Sequence, residues 1–102
     1  MITHYSSFWV GAGTNYTDAM NDANLVPIDK GMRCAKDVTV SDGEKIFVIM
    51  GESLSDKFIR ADINGIEIGM TEETVTVNDV TYKVFTSENT YREGVYNVDI
   101  NG

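Results

Sequence analysis

VTVNDVTYKVF, residues 75–85, consists of two runs of alternating apolar and polar residues joined by Asn78 and Asp79. Asn and Asp enter the left-handed region more readily than other non-glycine residues, and a two-residue type I′ turn requires that conformation at both positions. The pattern predicts a β-hairpin in which Val77 faces Val80. Apolar side chains then share one face of the hairpin, and threonine and lysine side chains share the other. This is the pattern of a half-buried antiparallel sheet.

Further strands are predicted on both sides of this hairpin. Asn64 and Gly65 form the strongest two-residue turn signal in the chain, and the alternating segments that flank them predict a second hairpin. Residues 46–50, IFVIM, are apolar throughout, which is typical of a central strand that is covered on both faces. Shorter alternating patterns bounded by turn residues predict additional strands within 3–12, 33–40 and 95–100.

The first predicted strand carries aromatic side chains on both faces. Phe8 and Val10 fall on one face, and Tyr5 and Trp9 fall on the other, so we expect each face to be covered. A short helix with its N-cap at Thr17 is predicted next. Because a helix of about two turns is not stable alone, it must pack against the sheet.

These elements together predict an all-β, mainly antiparallel fold. The chain shows no alternation of strands with full crossover helices, and turns recur about every 8 to 12 residues. We therefore expect an immunoglobulin-like sandwich or a partly open barrel of seven to eight short strands with one short helix. A length of 102 residues suits a single domain spanning 1–102, which we expect to be excised from, or terminal to, a larger protein.

The net charge of −8 argues against a nucleic-acid partner, because binding to phosphates needs a basic stripe and the eight Lys and Arg residues are scattered. The acidic composition favours solubility. The longest apolar run, residues 46–50, is far shorter than the roughly 20 residues that cross a bilayer, so no membrane partner is expected. The first residues lack the pattern of a signal peptide.

Catalytic chemistry is not indicated. His4 is the only histidine and has no nucleophile near it in sequence, and Cys34 is the only cysteine, with no base beside it. Cys34 cannot form a disulfide within the chain and is expected to be a packing residue. The sequence predicts neither an enzyme, nor a cofactor, nor a metal site.

One pair of carboxylates requires an explanation. In the second predicted hairpin Asp62 lies directly opposite Glu67, and like charges in that position repel each other. The simpler expectation is that Arg60, on the diagonal, neutralises them. The alternative is a weakly held hard cation with oxygen ligands, although the spacing is not that of a calcium loop.

Several aromatic residues fall outside the main predicted core face or in loops. Such side chains stack on sugars or anchor protein interfaces. Trp9 has two interpretations: the short helix covers it and it is structural, or a neighbouring protein covers it and it is an interface anchor. The candidate interaction residues are Tyr5, Trp9, Phe85 and Tyr91.

Six segments along nearly the whole chain share strand pattern and turn residues with one group of known proteins: FWVG at 8–11, KIFVI at 45–49 with SL at 53–54, NGIEI at 64–68, VNDVTYKVF at 77–85, SENTY at 87–91 and GVYNV at 94–98. Their order resembles a small module near the C-terminal end of tail, fibre or other virion proteins, often from phages and prophages of gut bacteria. The resemblance implies no cofactor and no catalytic residue. It implies a role in assembly or attachment, with other virion subunits or a second copy as partners.

The resemblance places the protein in a virion assembled in the bacterial cytoplasm. The alternative is an immunoglobulin-like or carbohydrate-binding module at the bacterial cell surface, if a signal sequence was removed, with a glycan as a further possible partner. Sugar binding would need exposed aromatic residues grouped with amides and carboxylates on one surface. Assembly would need a contiguous apolar patch or an unpaired edge strand.

Overall fold

The computed structural model describes residues 8–28, 33–51 and 60–101. Within these ranges the chain forms nine strands and one helix, so the strand count is slightly higher than predicted because two of the strands have only two residues. In chain order the elements are β1 Phe8–Gly13, α1 Tyr16–Asn21, β2 Val26–Pro27, β3 Arg33–Val40, β4 Lys45–Gly51, β5 Arg60–Ile63, β6 Ile66–Glu67, β7 Met70–Val77, β8 Val80–Ser87 and β9 Gly94–Asn101.

The strands form two sheets that pack face to face. The five-stranded sheet has the order β2-β1-β4-β8-β7, and the four-stranded sheet has the order β3-β9-β5-β6. Every pairing in the described part of the chain is antiparallel. The predicted all-β antiparallel class is confirmed, and the two sheets give it a sandwich-like architecture.

Both predicted hairpins have the expected register. Val77 pairs with Val80, and the turn residues Asn78 and Asp79 have φ values of 51° and 66°. In the second hairpin Ile63 pairs with Ile66. Its turn residues also have positive φ, as a type I′ turn requires.

Strand β4 occupies the centre of the five-stranded sheet, between β1 and β8. Its residues 46–50 are all buried, which confirms the prediction of a strand covered on both faces. Ile46, Val48 and Met50 belong to the core between the two sheets. Phe47 and Ile49 belong to a second core on the other face.

That second core lies between the five-stranded sheet and helix α1. Trp9 and Phe47 contribute its largest side chains, and Ala19 and Met20 contribute the buried face of the helix. The two cores cover β1 on both sides, as its aromatic pattern predicted. Residues 3–7 of the predicted first strand, with His4 and Tyr5, lie outside the described residues, and so does the side chain of Cys34.

Helix α1 begins two residues earlier than predicted. Its N-cap is Asn15, whose Oδ1 accepts a hydrogen bond from the Asp18 backbone N–H at 2.9 Å, so the expected N-cap at Thr17 is wrong. The side chain of Asn15 reaches the third helical residue, which is the geometry that makes Asn a strong N-cap. Gly13 lets the helix approach β1 closely, because a Cβ at this position would lie 2.8 Å from the backbone nitrogen of Ala19.

Candidate functional site: the tyrosine groove

A groove of about 280 Å³ lies where the β5–β6 hairpin meets the segment that joins β8 to β9. We call it the tyrosine groove. The chain brings together here a tight turn and a loop that are more than twenty residues apart in sequence. The groove is lined by Ile63, Asn64, Ile66, Glu67, Ile68, Gly69, Asn89, Tyr91 and Tyr96.

The backbone of Tyr91 is fixed by the turn that joins β3 to β4. The Gly43 N–H donates to the Tyr91 carbonyl, and the Tyr91 N–H donates to the Glu44 carbonyl, both at 2.8 Å. These two bonds form an isolated antiparallel bridge between Glu44 and Tyr91. The backbone of this loop residue thus makes hydrogen bonds of the kind found between antiparallel strands.

The two tyrosine rings pack against each other. Their centroids are 5.4 Å apart and their planes make an angle of 66°, which is an edge-to-face arrangement. The Tyr96 hydroxyl donates to the Arg92 carbonyl at 2.8 Å, so the ring of Tyr96 is held at both ends. Both side chains are half-buried and pack against the core between the sheets. The two tyrosine rings are therefore packed in place in the lining of the groove.

A buried serine, Ser87, fixes the backbone of Asn89 at the polar side of the groove. Ser87 accepts a hydrogen bond from the Ile46 backbone N–H at 2.9 Å and donates to the Asn89 carbonyl at 2.8 Å. The backbone of Asn89 is thus tied to the central strand, while its side chain is exposed. Asn64, in the β5–β6 turn, also lines the groove and has a φ of 54°.

The Tyr91 hydroxyl stays protonated well beyond neutral pH. Burial raises the pKa of Tyr91 above its ordinary value of 10.0, and the neighbouring Tyr96 raises it further. The neutral phenol can donate a hydrogen bond as well as accept one. Among the described residues that line the groove, Glu67 is the only charged one, so this part of the lining offers no cation to an anionic ligand.

A second depression, of about 240 Å³, lies beside the Arg60–Asp62 ion pair. The predicted opposition of Asp62 and Glu67 is confirmed, and Asp99 lies opposite Asp62 on its other side. An Arg60 nitrogen lies 3.3 Å from Asp62 Oδ2, as the simpler expectation required. Asp62 is only 6% exposed, and its Oδ1 has no hydrogen-bond partner in the described residues. Across those residues, no three His, Cys, Asp or Glu side chains are placed to hold a metal ion.

The candidate interaction residues have different surroundings. Trp9 is 2% exposed beneath helix α1, which is the structural one of its two interpretations. Phe85 is 8% exposed in the core between the sheets, so the expectation that it lies off the main core face is wrong. Its position follows from strand alternation, since the face of β8 opposite Val84 points toward the other sheet. Tyr91 lines the groove, and Tyr5 lies outside the described residues.

Three residues of the groove are not among the site residues expected from the sequence: Tyr96, Asn64 and Asn89. The alternation of Tyr96, Val98 and Ile100 predicts only that Tyr96 faces inward from its strand, and Asn64 is predicted only as a turn residue. The available signal was chemical, since aromatic and amide residues recur near both segments. Their proximity depends on the pairing of β5 with β9.

Ile66 is 73% exposed at the rim of the groove and is the most exposed large apolar side chain of the described residues. No helix in those residues has the length and apolar character needed to cross a membrane. No model of a protein family, no curated protein and no solved structure matches this chain. The resemblance to phage and prophage virion modules stays a prediction.

Proposed function

We propose that the chain is a non-catalytic structural and interaction module of a phage or prophage virion protein, and that it acts in assembly or attachment. Its partners are neighbouring virion subunits, and its location is the virion. The resemblance in the sequence suggests this role. The structural observation that supports it is the outer edge of strand β7, which pairs with no strand of the described residues.

Strand β7 is eight residues long and forms one edge of the five-stranded sheet. In the part of the chain that the structure describes, β8 is its only partner strand. Val77 and Val80 flank a two-residue turn and therefore form a hydrogen-bonded pair. Because this pattern alternates along a strand, Glu72, Thr74 and Thr76 direct their N–H and C=O groups away from β8. Such an edge is a template for a further strand.

A second copy of the chain is the partner that this edge fits. In an antiparallel pairing centred on Thr74, Glu72 would lie opposite Thr76 of the second copy, and Glu73 would lie opposite Val75 of the second copy. No two carboxylates then stand directly opposite each other, which would be destabilising. The net charge of −8 on each copy opposes association, and salt screens that repulsion.

The substitution Thr74→Pro tests the proposal. Proline removes one outward N–H, and an edge strand tolerates it because no bond to β8 is lost. At about 0.5 M NaCl, where the Debye length is about 4 Å, we expect the wild type to form dimers at high concentration in size exclusion with light scattering. Thr74→Pro should be monomeric and should melt close to the wild type.

The matched control is Glu73→Pro, which removes an N–H directed toward β8 and should lower the melting temperature. A wild type that is monomeric at every concentration would contradict the proposed assembly through β7. Dimers that persist unchanged in Thr74→Pro would also contradict it, because the contact would then lie elsewhere.

A further inference from the structure

The tyrosine groove has no part in the proposed assembly, since none of residues 71–77 lines it. It combines an apolar floor with a polar rim. The buried and half-buried lining residues, Ile63, Ile68 and the two tyrosines, form the floor, and the exposed side chains of Asn64, Glu67 and Asn89 form the rim together with Ile66. Ligand sites of small molecules usually combine an apolar lining with a few placed polar groups in this way.

We propose that the tyrosine groove binds one neutral sugar ring of a glycan. A pyranose ring has an apolar face of C–H groups and an edge of hydroxyl groups. Its apolar face matches the floor, where the rigid pair of Tyr91 and Tyr96 offers aromatic surface without an ordering cost on binding. This binding function goes beyond the proposed assembly role and stands on different residues.

The rim supplies the hydrogen bonds that a sugar needs. Each Asn amide offers donors and an acceptor, and a pair of neighbouring hydroxyl groups offers both in return. The Glu67 carboxylate adds acceptors. Among the described residues, the side chains of Asn64, Glu67 and Asn89 have no hydrogen-bond or ion-pair partner, so all three are free to bind a ligand.

Charge and size narrow the ligand class. The one charged side chain among the described lining residues is negative, and the chain carries a net charge of −8, so acidic sugars and phosphorylated ligands are disfavoured. A volume of about 280 Å³ lies just below the range of about 300 to 1,000 Å³ that is typical of small-molecule sites. The groove therefore accommodates one ring rather than an enclosed oligosaccharide.

An apolar side chain of a peptide fits the groove less well. It would fill the floor, but it would exclude water from Asn64, Asn89 and Glu67 without giving them hydrogen bonds. Burying polar groups without partners is unfavourable. A sugar ring can pack its apolar face against the floor and form hydrogen bonds to the rim with its hydroxyl groups.

Titration with single sugars, followed by backbone amide NMR, tests the proposal. Glucose, galactose, mannose and N-acetylglucosamine are added separately to the ¹⁵N-labelled protein, up to about 100 mM. At least one should shift the amides of residues 63–69 and 89–96 in a saturable way. For so small a ligand, we expect a Kd on the order of 1 mM.

The substitution Asn64→Gly removes one amide of the rim and keeps the turn, because glycine adopts the φ of 54° found here without strain. It should weaken sugar binding about tenfold, by the loss of a hydrogen-bonded group. The matched control is Asn78→Gly, the same change at a turn residue with φ of 51° in the other hairpin, and it should leave the Kd unchanged.

Absence of saturable shifts with all four sugars would overturn the proposal. So would an unchanged Kd in both Asn64→Gly and Asn89→Ala, or groove shifts produced by isoleucine amide and by no sugar. Thr74→Pro should bind the sugar like the wild type. Failure of the sugar site and failure of assembly through β7 are therefore separate results.

Discussion

At the scale of single residues, the fold places three polar groups under unusual constraint. Ser87 is buried and has both a donor and an acceptor as partners, so it joins the central strand to the groove loop. Trp9 Nε1 and Asp62 Oδ1 are buried without a hydrogen-bond partner among the described residues. Each of these two unpaired atoms lowers the stability of the folded protein relative to an atom that has a hydrogen-bond partner.

Tyr91 gives a prediction about pH. Burial, and secondarily Tyr96, raise its pKa in the folded protein above the ordinary value of 10.0. As the pH rises above 10, the unfolded chain therefore loses this proton at a lower pH than the folded protein does. Folding then requires the phenolate to take up a proton, which lowers the stability of the folded protein. The contribution of the phenol to stability should be constant below pH 10 and should fall as the pH rises through the folded pKa.

The measurement is the melting temperature of the wild type and of Tyr91→Phe from pH 8 to pH 11. The difference between the two proteins should stay level up to about pH 10 and then change in favour of Tyr91→Phe. Curves that remain parallel over the whole range would show that the pKa of Tyr91 is not raised by folding.

At the scale of elements, the turn residues determine the conformation of the hairpins, and the close approach of α1 to β1 determines the position of the helix. The β7–β8 turn has two successive non-glycine residues with positive φ, Asn78 and Asp79. The β5–β6 turn has Asn64 followed by Gly65, which is the more favourable pair for this type of turn. The turn sequence of the β7–β8 hairpin is therefore less favourable than the turn sequence of the shorter β5–β6 hairpin.

Asp79 tests this comparison directly. Asp79→Gly should increase the free energy of unfolding by about 0.5 kcal/mol, because it converts the turn to Asn-Gly. Asp79→Ala should lower it by about 1 kcal/mol, because alanine is strained at a φ of 66°. Urea denaturation of the three proteins measures both changes. An Asp79→Ala protein as stable as Asp79→Gly would show that the turn is not of the type described.

At the scale of the whole molecule, three layers share two cores. Helix α1 covers one face of the five-stranded sheet, and the four-stranded sheet covers the other. Trp9 belongs to the core under the helix, so its substitution should affect stability and leave association through β7 unchanged. An interface anchor would show the reverse behaviour.

Two substitutions of Trp9 separate these roles. Trp9→Ala should lower the free energy of unfolding by about 3 to 5 kcal/mol, as expected for the loss of a buried aromatic side chain. Trp9→Phe should lower the free energy of unfolding by roughly 1 kcal/mol or less. The loss is small because the substitution also removes a buried N–H that has no partner among the described residues. Denaturation curves and light scattering on both variants provide the measurements. A Trp9→Phe protein of normal stability that no longer associates would instead identify Trp9 as an interface residue.

The sequence by itself determined most of the strands, the two hairpins and their registers, but not the two-residue strand β2. These features are local, because turn residues such as Asn64 and Gly65 and the alternation of apolar residues act over a few positions. It also determined that β4 would be central, since only a strand covered on both faces can bury the run 46–50. The opposition of Asp62 and Glu67 followed directly from the turn between them.

Only the tertiary structure decided which apolar faces pack against which layer, and it alone formed the groove. Alternation assigns Trp9 and Phe85 to faces of their strands, but the face that meets the helix and the face that meets the other sheet are set by the order of strands. Tyr91 and Asn64 come together because β5 pairs with β9 and because the turn at Gly43 holds the loop. Such contacts join residues far apart in the chain, and no local pattern of residues specifies them.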